Sequence, residues 1–191
     1  MRLNERLNLV IPIYDTDDRV KAYVHSVPLS REAFEAHYLL IAKTFAAIHA
    51  GGLGEVAGPR VAAMVLRDVA RRERDEEGAV ALTSEVRRLT NVLAATPTGW
   101  DRVPYEEVVT RKALDDDDLS EVENALIFFM VASAMHRRRI LREVLPGAAS
   151  LWGAQTSPSD FTVFAASLGT STQVAHTGVT RTPAAASSVP R

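Results

Sequence analysis

Cysteine is absent from the 191 residues. Its absence removes disulfide frameworks, thiolate metal sites and thiol nucleophiles together, and leaves the redox compartment open. An excess of either charge is also missing: 22 Lys and Arg against 24 Asp and Glu leave a net charge of −2, which gives no global electrostatic case for nucleic acid. Aromatic residues are scarce, at 6%, and do not interleave with the basic residues as they do in nucleic-acid binders. No long apolar run exists. The longest, ALIFFMVASAM from Ala125 to Met135, has 11 residues and is bracketed by Glu121, Glu123 and the basic stretch 136–139. It falls short of the ~20 residues that span a bilayer and reads as a buried core helix. The amino-terminal stretch MRLNERLNLVIPIYD carries two charges of each sign and no signal-peptide core, so export is not expected. Repeats at solenoid periods are lacking as well.

What is present suits one domain, or one domain with a tail, long enough to bury roughly two-thirds of its unfolded surface without staples. Residues 7–14 (LNLVIPIY) and 20–27 (VKAYVHSV) are β-favouring runs joined by the acidic, turn-prone DTDDR. They predict a β-hairpin, with Pro12 marking the first strand as an edge or a break. Ser30 is a good N-cap for a helix over 30–50, where Phe34, Tyr38, Ile41, Phe45 and Ile48 recur at spacings of 4, 3, 4 and 3. Gly51 and Gly52 end it. Pro59 suits the first turn of a second helix reaching about Arg74, and the charge run RRERDEE behind it reads as a solvated helix end or loop. A third helix is expected over 83–95, stopped by TPTG, and a fourth over 104–114. Capping boxes at Asp118/Glu121 and Ser120/Glu123 open a last long helix that should run to about Leu145 and stop at Pro146-Gly147. From Thr156 onward, 36 residues hold 13 Ser or Thr and three charged side chains, the composition of an extended or disordered tail. Phe161, Val163, Phe164 and Leu168 are its main apolar anchors. The expected fold is thus mainly α: a hairpin over 1–29, a helical bundle-like domain over 30–152 and a flexible tail over 153–191.

Candidate chemistry is thin. The loop GGLGEVAGPR contains a relaxed dinucleotide fingerprint, but a helix precedes it where that motif needs a strand. It reads as a helix-to-helix connection. The histidines at 25, 37, 49, 136 and 176 show no metal-ligand spacing. The acidic run 115–118 lacks the alternating ligands, turn glycine and closing Glu of a calcium loop, and reads as a helix-capping turn. No nucleophile elbow surrounds any serine. Arg137, Arg138, Arg139 and Arg142 make the best case for nucleic acid, yet arginines on the last turns of a helix also complement its negative end, and that reading is preferred. These observations predict no catalytic, cofactor-binding or metal-binding residues and no cofactor.

The apolar surplus is more informative. The stretches 30–50 and 118–145 carry apolar residues around more than one face, including Leu39, Leu40 and the succession Phe128, Phe129, Met130, Val131. Such helices are buried in a core or against another chain.

Five segments then point outside the chain: 23–48 (YVHSVPLSREAFEAHYLLIAKTFAAI), 58–70 (GPRVAAMVLRDVA), 85–94 (EVRRLTNVLA), 121–138 (EVENALIFFMVASAMHRR) and 151–168 (LWGAQTSPSDFTVFAASL). Together they resemble the tail assembly chaperones of tailed bacteriophages. The resemblance implies a non-enzymatic protein of the host cytoplasm. It would bind the tape measure protein, help recruit the major tail protein, and leave before the virion is complete. It implies that Phe34, Tyr38, Ile41, Phe45, Phe128, Phe129 and Met130 divide between core and client groove, and exposed apolar faces would favour self-association. The alternative is a permanent virion component, a minor tail or head–tail joining protein.

Overall fold

The computed structural model describes residues 7–168, apart from the side chains at 55, 138 and 144. The hairpin is present. Strand β1 (Asn8–Tyr14) pairs antiparallel with β2 (Val20–Ser26), Leu9 opposite Ser26 and Ile13 opposite Ala22. Asp15 makes the turn, its Oδ1 accepting from the backbone N–H groups of Asp17 and Arg19 at 2.9 Å each, as short acidic side chains do in turns.

Helices α1 (Arg31–Ala36), α2 (Tyr38–Ala50), α3 (Gly54–Glu73) and α4 (Glu76–Arg88) follow. Ser30 caps α1, its hydroxyl accepting from Ala33 N–H at 3.1 Å. The single helix expected over 30–50 bends at His37 (φ −116°, ψ 18°). No residue of α1 is fully buried, whereas α2 buries Leu40, Ile41, Thr44 and Ile48, so only the part beyond the bend follows the core. α3 starts at Gly54, earlier than Pro59 suggested, and carries that proline inside. The charge run closes α3 with Arg74 in the left-handed region and opens α4 with Asp75, which accepts from Gly78 N–H at 3.1 Å.

The largest departure comes next. Where a helix was expected over 83–95, α4 ends at Arg88 and the chain forms strand β3 (Thr90–Thr96), then β4 (Gly99–Pro104). Thr90 and Val92 are β-branched and favour the pleated conformation. The Thr90 hydroxyl donates to Val86 carbonyl at 2.8 Å and lies 2.9 Å from Ser26 Oγ, fastening the helix end to the neighbouring strand. The stretch TPTG is a hairpin turn, with Thr96 opposite Gly99 and Gly99 at φ 148°, a conformation glycine tolerates.

Helices α5 (Tyr105–Arg111), α6 (Asp116–Met135) and α7 (Arg138–Leu151), strand β5 (Gln155–Ser157) and helix α8 (Phe161–Ser167) complete the order. The long helix expected to reach Leu145 breaks at His136, which is extended (φ −96°, ψ 147°). α6 is buried continuously from Asn124 to Ala132, a track that Arg137 and Arg139 cannot prolong at low cost. The chain therefore turns into α7, which buries Leu141, Leu145, Ala148 and Ala149 along one face and continues past Pro146.

The sheet has five strands in the order β4-β3-β2-β1-β5, every pair antiparallel. The fold is therefore mixed α and β, which corrects the expectation of a mainly α bundle with a single hairpin and a flexible tail. The hairpin's strands lie at the centre of the sheet, and the stretch expected to be a tail supplies β5 and α8. Residues 169–191 of that expected tail lie outside the described residues. Pro12 sits where β1 runs beyond β5, which pairs only with Asn8, Leu9 and Val10, so the proline occupies a locally open edge.

Alternation along the strands produces two cores. Leu9, Ile11, Ile13, Ala22, Val24 and Val92 face the helices, with α6 innermost. Val10, Tyr23 and Leu93 face the other way and meet Phe161 and Phe164 of α8. In the large core α3 lies against α6 through Gly58 and Ala63. A Cβ on Gly58 would sit 2.6 Å from Phe128 Cε2. Asn124 of α6, also buried, accepts from Ala63 N–H at 2.9 Å and donates to Ser120 carbonyl at 2.8 Å.

Candidate interaction surface

Once the large core is filled, several apolar side chains remain outside it. Tyr38 and Leu39 at the start of α2 are 55% and 57% exposed, Val56 and Met64 of α3 are 70% and 58% exposed, and Val80 of α4 is 67% exposed. On α3 the exposed residues Val56, Arg60, Met64, Arg67 and Arg71 follow one another at spacings of 4, 4, 3 and 4, which places them along one helix face. That face alternates apolar and cationic groups.

Between α3 and α4 runs a groove of about 410 Å³, lined by Arg67, Arg71, Val80, Ser84, Arg87 and Glu123 among others. Arg87 is the structural cation: it contacts Glu123 at 3.2 Å and Glu106 at 3.8 Å. Tyr105 is buried near this pair, and desolvation, reinforced by the Glu123 charge, pushes its phenol well above the ordinary range. The hydroxyl is thus held neutral. Arg71 contacts Asp68 more loosely, at 3.9 Å, with both side chains largely exposed, a geometry of little energetic weight. A groove that sets Ala70, Ala79 and Val80 among charged and hydroxyl side chains can receive one face of an amphipathic helix.

A second depression, about 440 Å³, separates the 27–31 segment from α7, with Leu7, Leu29, Arg31, Leu89 and Leu141 among its walls. A third, about 330 Å³, opens at the uncovered edge of β1 beside Tyr14, Asp118, Glu121 and Trp152.

The residues singled out as core or client groove divide as follows. Ile41, Phe128, Phe129 and Met130 are buried in the large core, Phe34 and Phe45 pack half-buried against it, and Tyr38 is exposed. Leu39, Val56, Met64 and Val80, which that list omitted, lie outside. The spacing along α3 carried the signal for Val56 and Met64, but a helix read as starting at Pro59 leaves Val56 in a loop.

The acidic run forms the start of α6. Asp115 accepts from Asp118 N–H at 2.8 Å, which is the main reason its carboxyl is held below the usual range. The Lys21 ammonium bonds Asp118 and lies 3.6 Å from Asp115, and the Asp118 contact raises the lysine's pKa. Among the described residues no three His, Asp or Glu side chains gather to hold a metal ion. His49 stacks on Phe45 at 4.0 Å, His136 meets the same ring edge-on at 5.2 Å, and His25 is buried within the sheet. His37 marks the α1–α2 bend, and His176 lies outside the described residues. The arginines expected at the end of a helix instead open α7. Arg137 is its N-cap position and Arg139 approaches Glu143 at 3.9 Å. Of GGLGEVAGPR only Gly51, Gly52 and Leu53 join α2 to α3, with Gly52 at φ 69°; the rest, read as a connection, is the first part of α3.

No helix among the described residues is long and apolar enough to cross a membrane. No known protein family, no curated protein and no solved structure matches the chain.

Proposed function

We propose that this chain is a non-enzymatic binding protein that acts as a tail assembly chaperone of a tailed bacteriophage. Its client is the tape measure protein, it helps bring the major tail protein to that client, and it works in the host cytoplasm. The observation that carries the reading is the exposed apolar and cationic face of α3 and α4, with Met64 and Val80 left outside a core already complete without them. Large apolar side chains grouped on one face mark interaction sites. An amphipathic client helix laid against that face hides its own apolar stripe from self-association.

Co-expression with the tape measure protein of the same genome tests the proposal, combined with mass spectrometry of finished particles. Soluble client that co-purifies with this chain, and no trace of the chain in particles, is the expected result. Retention in particles without any gain in client solubility would make it a permanent tail or head–tail joining component and would overturn the chaperone assignment.

A further inference from the structure

The small core on the outer face of the sheet is closed by one element. Val10, Tyr23 and Leu93 come from three adjacent strands, and α8 covers them with Phe161 and Phe164. The aromatic fit is good. Tyr23 stands edge-on to Phe164 with ring centroids 5.6 Å apart, His25 stands edge-on to Phe161 at 5.5 Å, and the Arg102 guanidinium lies 4.7 Å over the Phe161 ring. Such arrangements exploit the ring quadrupole.

The polar fit is poor. Asn8 and His25 are both almost wholly buried and both reach for one atom, the Ser159 carbonyl just ahead of α8. Asn8 Nδ2 donates to it at 2.6 Å, and His25 Nε2 lies at 3.2 Å. Their remaining polar atoms, Asn8 Oδ1 and His25 Nδ1, are buried without a partner. A buried polar atom left unpaired opposes the state that buries it. The cover itself is short: α8 has seven residues, below the ~12–15 that hold an isolated helix in water. Among the described residues, no backbone hydrogen bond joins α8 to the sheet. Phe161 and Phe164, the Arg102 guanidinium, one carbonyl and the marginal Ala165 and Leu168 hold a short helix over a face on which two buried polar atoms stay unpaired.

We propose that this outer sheet face is a binding site for a helical segment of a partner protein that presents two aromatic side chains at i and i+3, and that α8 is an internal placeholder which such a segment displaces. The chemistry of the occupant is that of α8 itself: an acidic N-cap, Asp160, whose Oδ1 accepts from Val163 N–H at 2.9 Å, then the Phe161 and Phe164 pair, with Ala165 and Leu168 packed at the margin. A longer helix is more stable in its own right than seven-residue α8 and can use the same aromatic anchors. The site faces away from the helices that carry the α3–α4 groove and stands independently of the function proposed above.

Hydrogen exchange on the unaltered chain tests displaceability. The amides of 164–167 should exchange at least a hundredfold faster than those of 22–25 in β2; equal protection would overturn the proposal. Specificity is tested with a fluorescein-labelled peptide PSDFTVFAASL, the sequence of residues 158–168. It should bind the full chain carrying F161A and F164A at least tenfold more tightly than the native chain, where α8 competes in cis. The same peptide with both phenylalanines changed to alanine should bind neither. No difference between the native chain and a folded double variant, or equal binding of the alanine peptide, would contradict it.

Discussion

At the scale of single residues, His25 makes the most distinctive prediction. Burial holds its imidazole below the ordinary value, and the Ser159 carbonyl and the Asp160 charge offset that only in part. An unfolded chain takes up this proton near pH 6.5 and the folded chain resists it, so as pH falls the unfolded state binds more protons. Stability contributed by His25 is therefore complete above about pH 6.5 and declines below it. Urea unfolding from pH 7.5 to 5.5 should show a falling unfolding free energy, with a shallower fall in His25→Leu; an unchanged slope in that variant would assign the effect to other groups. Gly58→Ala belongs to the same scale. Its Cβ would press on Phe128, so the substitution should cost about 1–3 kcal/mol despite the better helix propensity of alanine, read as a lower unfolding midpoint. Asn124→Ala leaves the Ala63 N–H without its buried acceptor and should cost about 1–3 kcal/mol. These roles were not legible beforehand. His25 stands in the β-favouring run VKAYVHSV, which marks a strand but says nothing of a carbonyl 134 positions away, and Asn124 reads as one more polar letter after Glu121 and Glu123, just ahead of the apolar run.

Elements were legible where a local chemical signal sets them. Ser30 caps α1 and the acidic turn at Asp15 closes the hairpin, whereas the capping boxes expected at Asp118 and Ser120 do not open α6: it starts earlier, at Asp116, with Asp115 as its N-cap. The cap at Asp115 accounts for the start of α6 directly, and Asp115→Ala should lower stability by about 0.5–2 kcal/mol through loss of the bond to Asp118 N–H. A thermal melt checks it, with Asp116→Ala, outside the cap, as the comparison. Elements were misread where local signals are shared between structures. TPTG stops a helix and turns a hairpin equally well, and only the pairing of Thr90–Thr96 with β2 decides for the strand. Gln155–Ser157 is three residues of polar sequence whose strand character comes from β1 alone. Composition made 153–168 look like a tail, yet Phe161 and Phe164 are enough to seat a short helix once a sheet face exists to receive them.

For the whole molecule, topology decides how apolar residues are allotted. The surplus apolar character of the sequence was visible, but its allocation was not. The richest stretch, around Phe128 and Met130, is the centre of the core, and the exposed residues belong to α3 and α4, whose patterns look more polar. The central claim is that this outer helical face holds the client. The measurement that tests it most directly is co-purification of the tape measure protein with the native chain and with the double substitution M64D and V80D, both at sites more than half exposed. The account predicts that the variant keeps its melting temperature within a few degrees, because exposed substitutions away from packing contacts seldom change stability by more than about 0.5 kcal/mol. It also predicts at least a tenfold loss of recovered soluble client. Equal recovery of client by a variant that folds as the native chain does would contradict it.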